Sequence, residues 1–155
     1  MRNLLENDLS FTAFVMTSGS KGLHVAVPLI QEDTFDEVHD FTKNVSLYIC
    51  KMYPNDFTTT SRKNKREGKL YVDFLRNSYA QTSVCPFSVR AIEYAPVATP
   101  IDWGELDDKN FNPQIYTIKN IFDRLEKVED SWRDFTLNSK SIGAAKVKLI
   151  DMCAY

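Results

Sequence analysis

The stretch Thr17-Ser18-Gly19-Ser20-Lys21-Gly22-Leu23-His24 lies between two apolar runs and constrains this chain more than any other segment. Upstream, residues 13–16 (Ala-Phe-Val-Met) read as the end of a strand. Downstream, Leu23, Val25 and Val27 alternate with His24, Ala26 and Pro28, the period of a strand with one buried face. Two strands therefore flank a turn that concentrates glycines, hydroxyls and one lysine. Such a turn can aim backbone N–H groups, hydroxyls and an ammonium at an anion such as phosphate. It can equally be a Gly/Ser hairpin turn carrying an incidental lysine.

The rest of the chain must supply the core that those strands need. It has 155 residues, the size of one ordinary domain, with 43% hydrophobic and 12% aromatic content. That composition excludes general disorder. With 19 basic against 21 acidic residues the net charge is −2, which excludes a uniformly basic nucleic-acid coat but not a local basic patch. No apolar run approaches a membrane span, and no signal-peptide core is present at the start. Cys50, Cys85 and Cys153 are odd in number and widely spaced, as expected of reduced, mostly buried thiols in a cytoplasmic protein. Two histidines, His24 and His39, make a zinc site a poor expectation.

Residues 2–9 have a short helical pattern, with Leu4, Leu5 and Leu9 on one side. Thr34 followed by Glu37 is a capping-box signature. Phe35, Val38, Phe41, Val45, Tyr48, Ile49 and Met52 then recur at helical spacing, with Pro54 beyond the end. The polar stretch 55–60 leads into a basic one, where Arg62, Lys63, Lys65, Arg66 and Lys69 surround a single Glu67. This run is either a solvated surface or a phosphate-facing loop. Residues 69–75 alternate as a strand that buries Leu70, Val72 and Phe74 and turns Asp73 the other way. An acid in such a strand needs compensation. Asp73 reads as an edge acid paired with Arg76, or as a ligand for Mg²⁺ or Mn²⁺, which prefer carboxylate oxygens.

Residues 84–92 alternate again, with Cys85, Phe87, Val89 and Ala91 on one side and Ser88 and Arg90 on the other. Pro86 marks this strand as an edge or an interrupted one. Residues 116–128 predict a second helix with Ile118, Ile121, Phe122, Leu125 and Val128 on its apolar side. Residues 136–155 form a tail that can close in a short helix. The pattern as a whole is α+β, a mixed or antiparallel sheet with packed helices.

Three spans in order resemble one family. They are residues 17–25, then Val72-Asp73-Phe74-Leu75-Arg76-Asn77, then Phe87-Ser88-Val89-Arg90-Ala91 followed by Ala95-Pro96-Val97-Ala98-Thr99-Pro100. With Trp103-Gly104-Glu105-Leu106 and Asp130-Ser131-Trp132, they resemble the polymerase/primase domain of bacterial DNA ligase D, in the archaeo-eukaryotic primase superfamily. The resemblance covers residues 1–135 and implies a primase-polymerase fragment with an RRM-like catalytic core, the tail 136–155 standing outside it. It implies template-guided nucleotidyl transfer in non-homologous end joining, in which two metal ions, Mg²⁺ or Mn²⁺, bridge the attacking oxygen and the triphosphate.

By the same resemblance Ser18 and Lys21 hold the triphosphate, and His24 occupies the nucleotide-binding histidine position. Arg66 and Arg90 contact phosphates, and Asp73 is the third metal carboxylate. The implied partners are a nucleoside triphosphate, DNA ends, a ligase domain and Ku, in a bacterial cytoplasm or nucleoid. The family's Asp-x-Asp strand has no counterpart here. Asp8, Asp33, Asp36 and Asp40 lack strand context and do not take its role. The chain is thus expected to begin mid-motif, as the C-terminal part of the domain, and to be impaired alone. A sheet that has lost a strand is expected to self-associate through its exposed edge. The alternative is a non-catalytic remnant or binding module that keeps the triphosphate pocket. A P-loop NTPase is excluded, because Lys21 and Gly22 are in the wrong order and position 14, five residues before Gly19, is Phe. Neither histidine has the context of a hydrolytic triad.

Overall fold

In the computed structural model, which describes residues 1–154, the helix announced by Thr34 and Glu37 runs over Phe35–Met52 (α1). The capping box is complete: the Thr34 hydroxyl accepts from the Glu37 N–H at 3.3 Å, and the Glu37 carboxylate accepts from the Thr34 N–H at 2.8 Å. Two orphan N–H groups of the first turn are thereby satisfied. Phe41, Val45 and Ile49 form the buried stripe, each contributing about 1.5–3 kcal/mol. The ends of the predicted stripe differ: Phe35 and Met52 are 61% and 53% exposed.

The chain forms two units. The first comprises Met1–Ser10, Leu29–Ser83 and the chain from Lys140 onward. Its core joins Leu4, Leu5 and Leu9 of the N-terminal segment, the α1 stripe, and Ile142, Ala145 and Leu149. The N-terminal helical turn is wide, a π-helix over Leu4–Asp8. The tail forms a helix over Gly143–Cys153 (α3) that packs on α1. Its start is held by Asp33, whose carboxylate accepts from the Ile142 N–H at 3.0 Å and the Ser141 hydroxyl at 3.3 Å.

Unit one also carries a minimal parallel pair, Phe57–Thr58 (β3) with Leu70–Tyr71 (β4). This corrects the strand expected over residues 69–75. The ladder ends at the Val72 N–H, which donates to the Thr58 carbonyl at 2.9 Å, because β3 offers only two residues to pair with. Leu70, expected to be buried, is 63% exposed.

The second unit comprises Phe11–Pro28 and Val84–Ser139. Here Phe14–Thr17 (β1) lies between Leu23–Ala26 (β2) and Pro100–Ile101 (β5), both antiparallel to it. Val15 is in register with Val25 and Ile101, and Met16 with His24 and Pro100. The alternation in β2 is as expected, but its burial is reversed. Leu23 and Val25 are 39% and 38% exposed, while His24 is half-buried. As the outer strand, β2 has one hydrogen-bonded neighbour only, so the apolar face it shares with buried Val15 and Ile101 thins out at the sheet edge. On β1, Phe14 meets the rings of Trp132 and Phe135 edge-on, at 5.9 and 5.0 Å. The Trp132 indole N–H donates to the Val15 carbonyl at 3.0 Å.

The helix expected over 116–128 is shorter, Ile121–Lys127 (α2), and buries only Ile121. Its upstream residues are drawn into extended pairing, with the Val97 N–H donating to the Tyr116 carbonyl at 2.8 Å and Pro96 bridged to Thr117. The Asn120 side chain accepts from the Thr117 N–H at 2.7 Å and donates to the Ile115 carbonyl at 2.9 Å, closing the turn before the helix. Arg124 of α2 makes a bidentate pair with Glu105 at 2.7 and 2.8 Å, and also reaches the Tyr116 hydroxyl and the Pro100 carbonyl. Burial works to raise the Glu105 carboxyl, but hydrogen bonds from Arg124 and Tyr116 outweigh it and hold it below the usual value. The Tyr116 phenol is pushed up to about 12 by burial and by its hydrogen bond to Glu105.

The expected strand over 84–92 is interrupted, as Pro86 suggested. Val89 makes an isolated bridge to Val97, and the chain turns through Phe87, whose φ is 63°. Phe87 and Val89 are exposed, whereas Ser88 and Arg90 are half-buried. The cysteines are all free thiols, but Cys85 and Cys153 are exposed and Cys50 is half-buried, so they are not the buried set expected.

Candidate functional site

Four of the six predicted site residues fall in the second unit, around the turn between β1 and β2. Ser18 closes that turn. Its N–H donates to the Gly22 carbonyl at 2.9 Å, and its hydroxyl accepts from the Ser20 and Gly22 N–H groups at 3.2 Å each. The loop thus uses Ser18 first as an internal scaffold. Gly19 has φ 61°, and a Cβ there would stand 2.7 Å from Arg90 Cγ, 3.0 Å from the Ala98 nitrogen and 3.2 Å from the Val97 carbonyl carbon. Glycine is required twice over, for its backbone conformation and for close approach. The same contact shows that the Arg90 stem lies directly against the loop.

Beneath the turn, two threonines hold the loop to the segment that carries Arg90. The Thr17 N–H donates to the Thr99 carbonyl at 2.9 Å, and the Thr99 N–H donates to the Thr17 hydroxyl at 3.0 Å. Thr99 Oγ1 in turn donates to the Val97 carbonyl at 2.9 Å. Both threonines are fully buried. The Phe87 N–H donates to the Ala98 carbonyl and the Ala98 N–H to the Ser88 carbonyl, at 2.6 and 2.9 Å. The loop and the Arg90 segment are therefore one hydrogen-bonded assembly. Thr17 and Thr99 were not among the candidates; the available signal was a hydroxyl at each end of otherwise apolar runs.

Lys21 is exposed at the tip, and neither it nor the Arg90 guanidinium has an acidic partner among the described residues. Two cations next to a glycine turn, with no carboxylate to neutralise them, form a site suited to an anion. His24 follows on β2, on the face of Met16 and Pro100.

Arg66 and Asp73 belong to the first unit. Arg66 follows a 3₁₀ turn over Lys63–Lys65 and is half-buried among exposed basic neighbours. Its Nε donates to the Thr60 carbonyl at 3.1 Å and its Nη2 to the Ser61 carbonyl at 2.7 Å. Its guanidinium lies 4.3 Å from the centre of the Tyr71 ring. Asp73 is exposed in the turn after β4. Its Oδ1 accepts from the Leu75 N–H at 3.0 Å and from the Tyr71 hydroxyl at 3.2 Å. Arg76, expected as its partner, instead donates to Gln81 at 3.3 Å. Burial, with the Asp73 charge behind it, pushes the Tyr71 phenol up. Tyr71 touches both predicted residues and was not itself a candidate.

Asp73 is the one residue proposed as a ligand for Mg²⁺ or Mn²⁺, which prefer carboxylate oxygens. Among the described residues no three His, Cys, Asp or Glu side chains are grouped to hold a metal ion. Of the two Asp73 oxygens, Oδ1 is the one engaged by the Leu75 N–H and the Tyr71 hydroxyl. No described helix is long and apolar enough to cross a membrane.

Comparison with known proteins matches the model of the LigD primase-polymerase domain over residues 1–132. The chain is 36% identical over 143 residues to the multifunctional non-homologous end joining protein LigD of Pseudomonas aeruginosa, covering 91% of this chain and 17% of that protein. It is 32% identical over 139 residues to the bifunctional LigD of Bacillus subtilis, covering 89% of this chain and 22% of that protein. Its structure resembles the polymerase domain of Mycobacterium tuberculosis ligase D, solved in complex with DNA. That match has a TM-score of 0.76 and 30% identity, over 87% of this chain and 46% of the other. The chain thus spans about a fifth of the length of these curated relatives and under half of the solved domain. The α+β architecture, with its antiparallel sheet and packed helices, is that of the matched domain. This chain belongs to the LigD primase-polymerase domain family.

Proposed function

We propose that the chain binds the triphosphate of a nucleotide through Ser18, Lys21, His24 and Arg90, as part of template-guided nucleotidyl transfer at DNA ends in non-homologous end joining. One observation carries this reading: the Arg90 stem packs on Gly19 beside Lys21, so both cations share one loop assembly with no acidic partner among the described residues. A triphosphate supplies the negative charge that such an assembly lacks. Family membership adds the reaction and the setting. The polymerase domain of the Mycobacterium relative was solved with DNA, and the curated relatives are named for end joining. DNA ends, a ligase domain and Ku are the partners this reading gives the chain, and the bacterial nucleoid its place of action.

Nucleotidyl transfer in this family is metal-dependent. Asp73 is the carboxylate this chain contributes to that chemistry, and Arg66 is a second phosphate contact. In this reading Asp73 is the one family metal carboxylate with a counterpart in this sequence, so the chain alone binds better than it transfers.

The test is titration of a fluorescent nucleoside triphosphate. Lys21→Ala is expected to weaken binding about tenfold, the loss of one charge-assisted contact. Unchanged affinity overturns the assignment of the loop. A manganese-dependent primer-extension assay separates the two functional readings. Extension abolished by Asp73→Ala supports the transferase, whereas triphosphate binding without extension supports a binding module. Sedimentation velocity tests the self-association proposed from the open edges of the sheet β2-β1-β5; a monomer at working concentration counts against it.

A further inference from the structure

Arg66 and Asp73 are opposite charges on the two sides of β4 in the sequence, yet they form no ion pair with each other. The side chain that touches both is Tyr71. The Arg66 guanidinium lies over its ring, 4.3 Å from the centre, and its hydroxyl donates to Asp73 Oδ1 at 3.2 Å. The ring face is a weak, non-neutralising partner for a cation. A carboxylate would be a strong one, and bidentate pairing would use the guanidinium edge that recognises phosphate. We propose that Tyr71 is a positioning residue that keeps Arg66 available as a polyphosphate receptor by holding it and Asp73 apart. The inference rests on Arg66 facing phosphate, as proposed above.

The rest of the local geometry fits this role. Two carbonyls, of Thr60 and Ser61, occupy Nε and one Nη2 proton of Arg66. Nη1 has no partner within the described structure, so a phosphate can be taken there without breaking an existing bond. The same Asp73 oxygen also accepts from the Leu75 N–H at 3.0 Å. Each charged group is thus held by neutral partners, and the phenol ring is common to both. Lys63, Lys65 and Arg62 surround Arg66 as exposed cations that bring an anion near, and Arg66 is the half-buried, oriented member of the group. Loss of the Tyr71 ring would remove both the platform and the spacer. The Asp73 carboxylate, which Tyr71 also touches, would then be open to the freed guanidinium.

Calorimetric binding of inorganic tripolyphosphate to the full 155-residue chain tests this. Tyr71→Ala is expected to weaken binding about tenfold, matching Arg66→Gln. Tyr71→Phe keeps the ring and is expected to stay within about twofold of the parent. The decisive arm is Tyr71→Ala in an Asp73→Asn background. With no carboxylate to capture Arg66, removal of the ring is expected to cost less than about twofold relative to Asp73→Asn alone. A loss of the same size in both backgrounds overturns the spacer role, because damage to the ladder would not depend on the charge at position 73. Full affinity in Tyr71→Ala also overturns it. If Arg66→Gln itself binds like the parent, the assignment of Arg66 to phosphate has failed, and that outcome is distinct from the other two.

Discussion

The glycines at 19 and 22 lie in the same five-residue turn, and the structure gives them opposite tolerance to an identical change. Gly19→Ala places a Cβ in the left-handed region, at φ 61°, which costs about 1–2 kcal/mol for an L residue. The new carbon also meets two backbone atoms, the Ala98 nitrogen at 3.0 Å and the Val97 carbonyl carbon at 3.2 Å. Those atoms cannot retreat freely, because Thr17 and Thr99 pin that segment through buried hydrogen bonds. Overpacking of this kind costs about 1–3 kcal/mol, and the entropy lost by the unfolded chain returns less than about 1 kcal/mol. The expected net destabilisation is about 2–3 kcal/mol. At Gly22 a Cβ meets nothing within 4 Å and the backbone is not left-handed, so Gly22→Ala is expected to stay within about 0.5 kcal/mol of the parent.

Urea denaturation of the two variants beside the parent measures both values. The third contact of the Gly19 Cβ, with Arg90 Cγ at 2.7 Å, supplies an internal check. In a Gly19→Ala/Arg90→Ala double variant that clash is gone, so the combined cost is expected to fall short of additivity by about 0.5 kcal/mol or more. Equal stability of Gly19→Ala and Gly22→Ala would refute the reasoning, as would strict additivity with Arg90→Ala.

Further outcomes follow from other parts of the molecule. The Arg124 and Glu105 side chains are only 9% and 24% exposed, so Arg124→Met is expected to destabilise by about 2–4 kcal/mol. A double-mutant cycle with Glu105→Gln should show a coupling above about 1 kcal/mol in denaturant melts. Because the Glu105 carboxyl is held below its ordinary 4.5, its contribution is present above that pH and is lost as pH falls through the lower folded value. An acid-side stability profile that Arg124→Met leaves unaltered would count against this. Tyr116 behaves in the opposite sense. Its phenol is raised from 10.0 to about 12, so its contribution is complete below pH 10 and lost on rising through about 12, a slope that Tyr116→Phe should remove. Thr34→Ala removes the hydroxyl half of the α1 capping box and is expected to cost about 1 kcal/mol, read as a lowered melting temperature.

Elements whose stability is local were legible in the sequence. Helix α1 announces its own cap, which is found in place, and the middle of its stripe, Phe41, Val45 and Ile49, is buried while the ends Phe35 and Met52 are not. The turn between β1 and β2 was legible because glycine and serine carry its geometry themselves. Where partners elsewhere decide the outcome, alternation misled. The 69–75 segment reads as a long strand, but its only neighbour pairs over two residues and the rest turns at Asp73. Residues 116–120 have helical periodicity, yet Tyr116 and Thr117 pair with the 96–97 stretch and residues 118–120 form a turn. In β2 the alternation is real but does not show how well each face is covered, which depends on its place at the sheet edge. Lys21 stands out in its own turn and Arg66 in its basic run, whereas Arg90 is singled out by the resemblance. Tyr71, Thr17 and Thr99, which hold those residues in place, leave no periodic trace.

The order in which the two units use the chain has a practical consequence. The chain passes between them after residues 10, 28, 83 and 139, so neither can be excised as one continuous fragment. The match to the family model ends at residue 132, before α3, yet Ile142, Ala145 and Leu149 are part of the same core as Leu4 and Phe41. Trimming the protein to the family boundary would therefore strip apolar cover from its N-terminal segment.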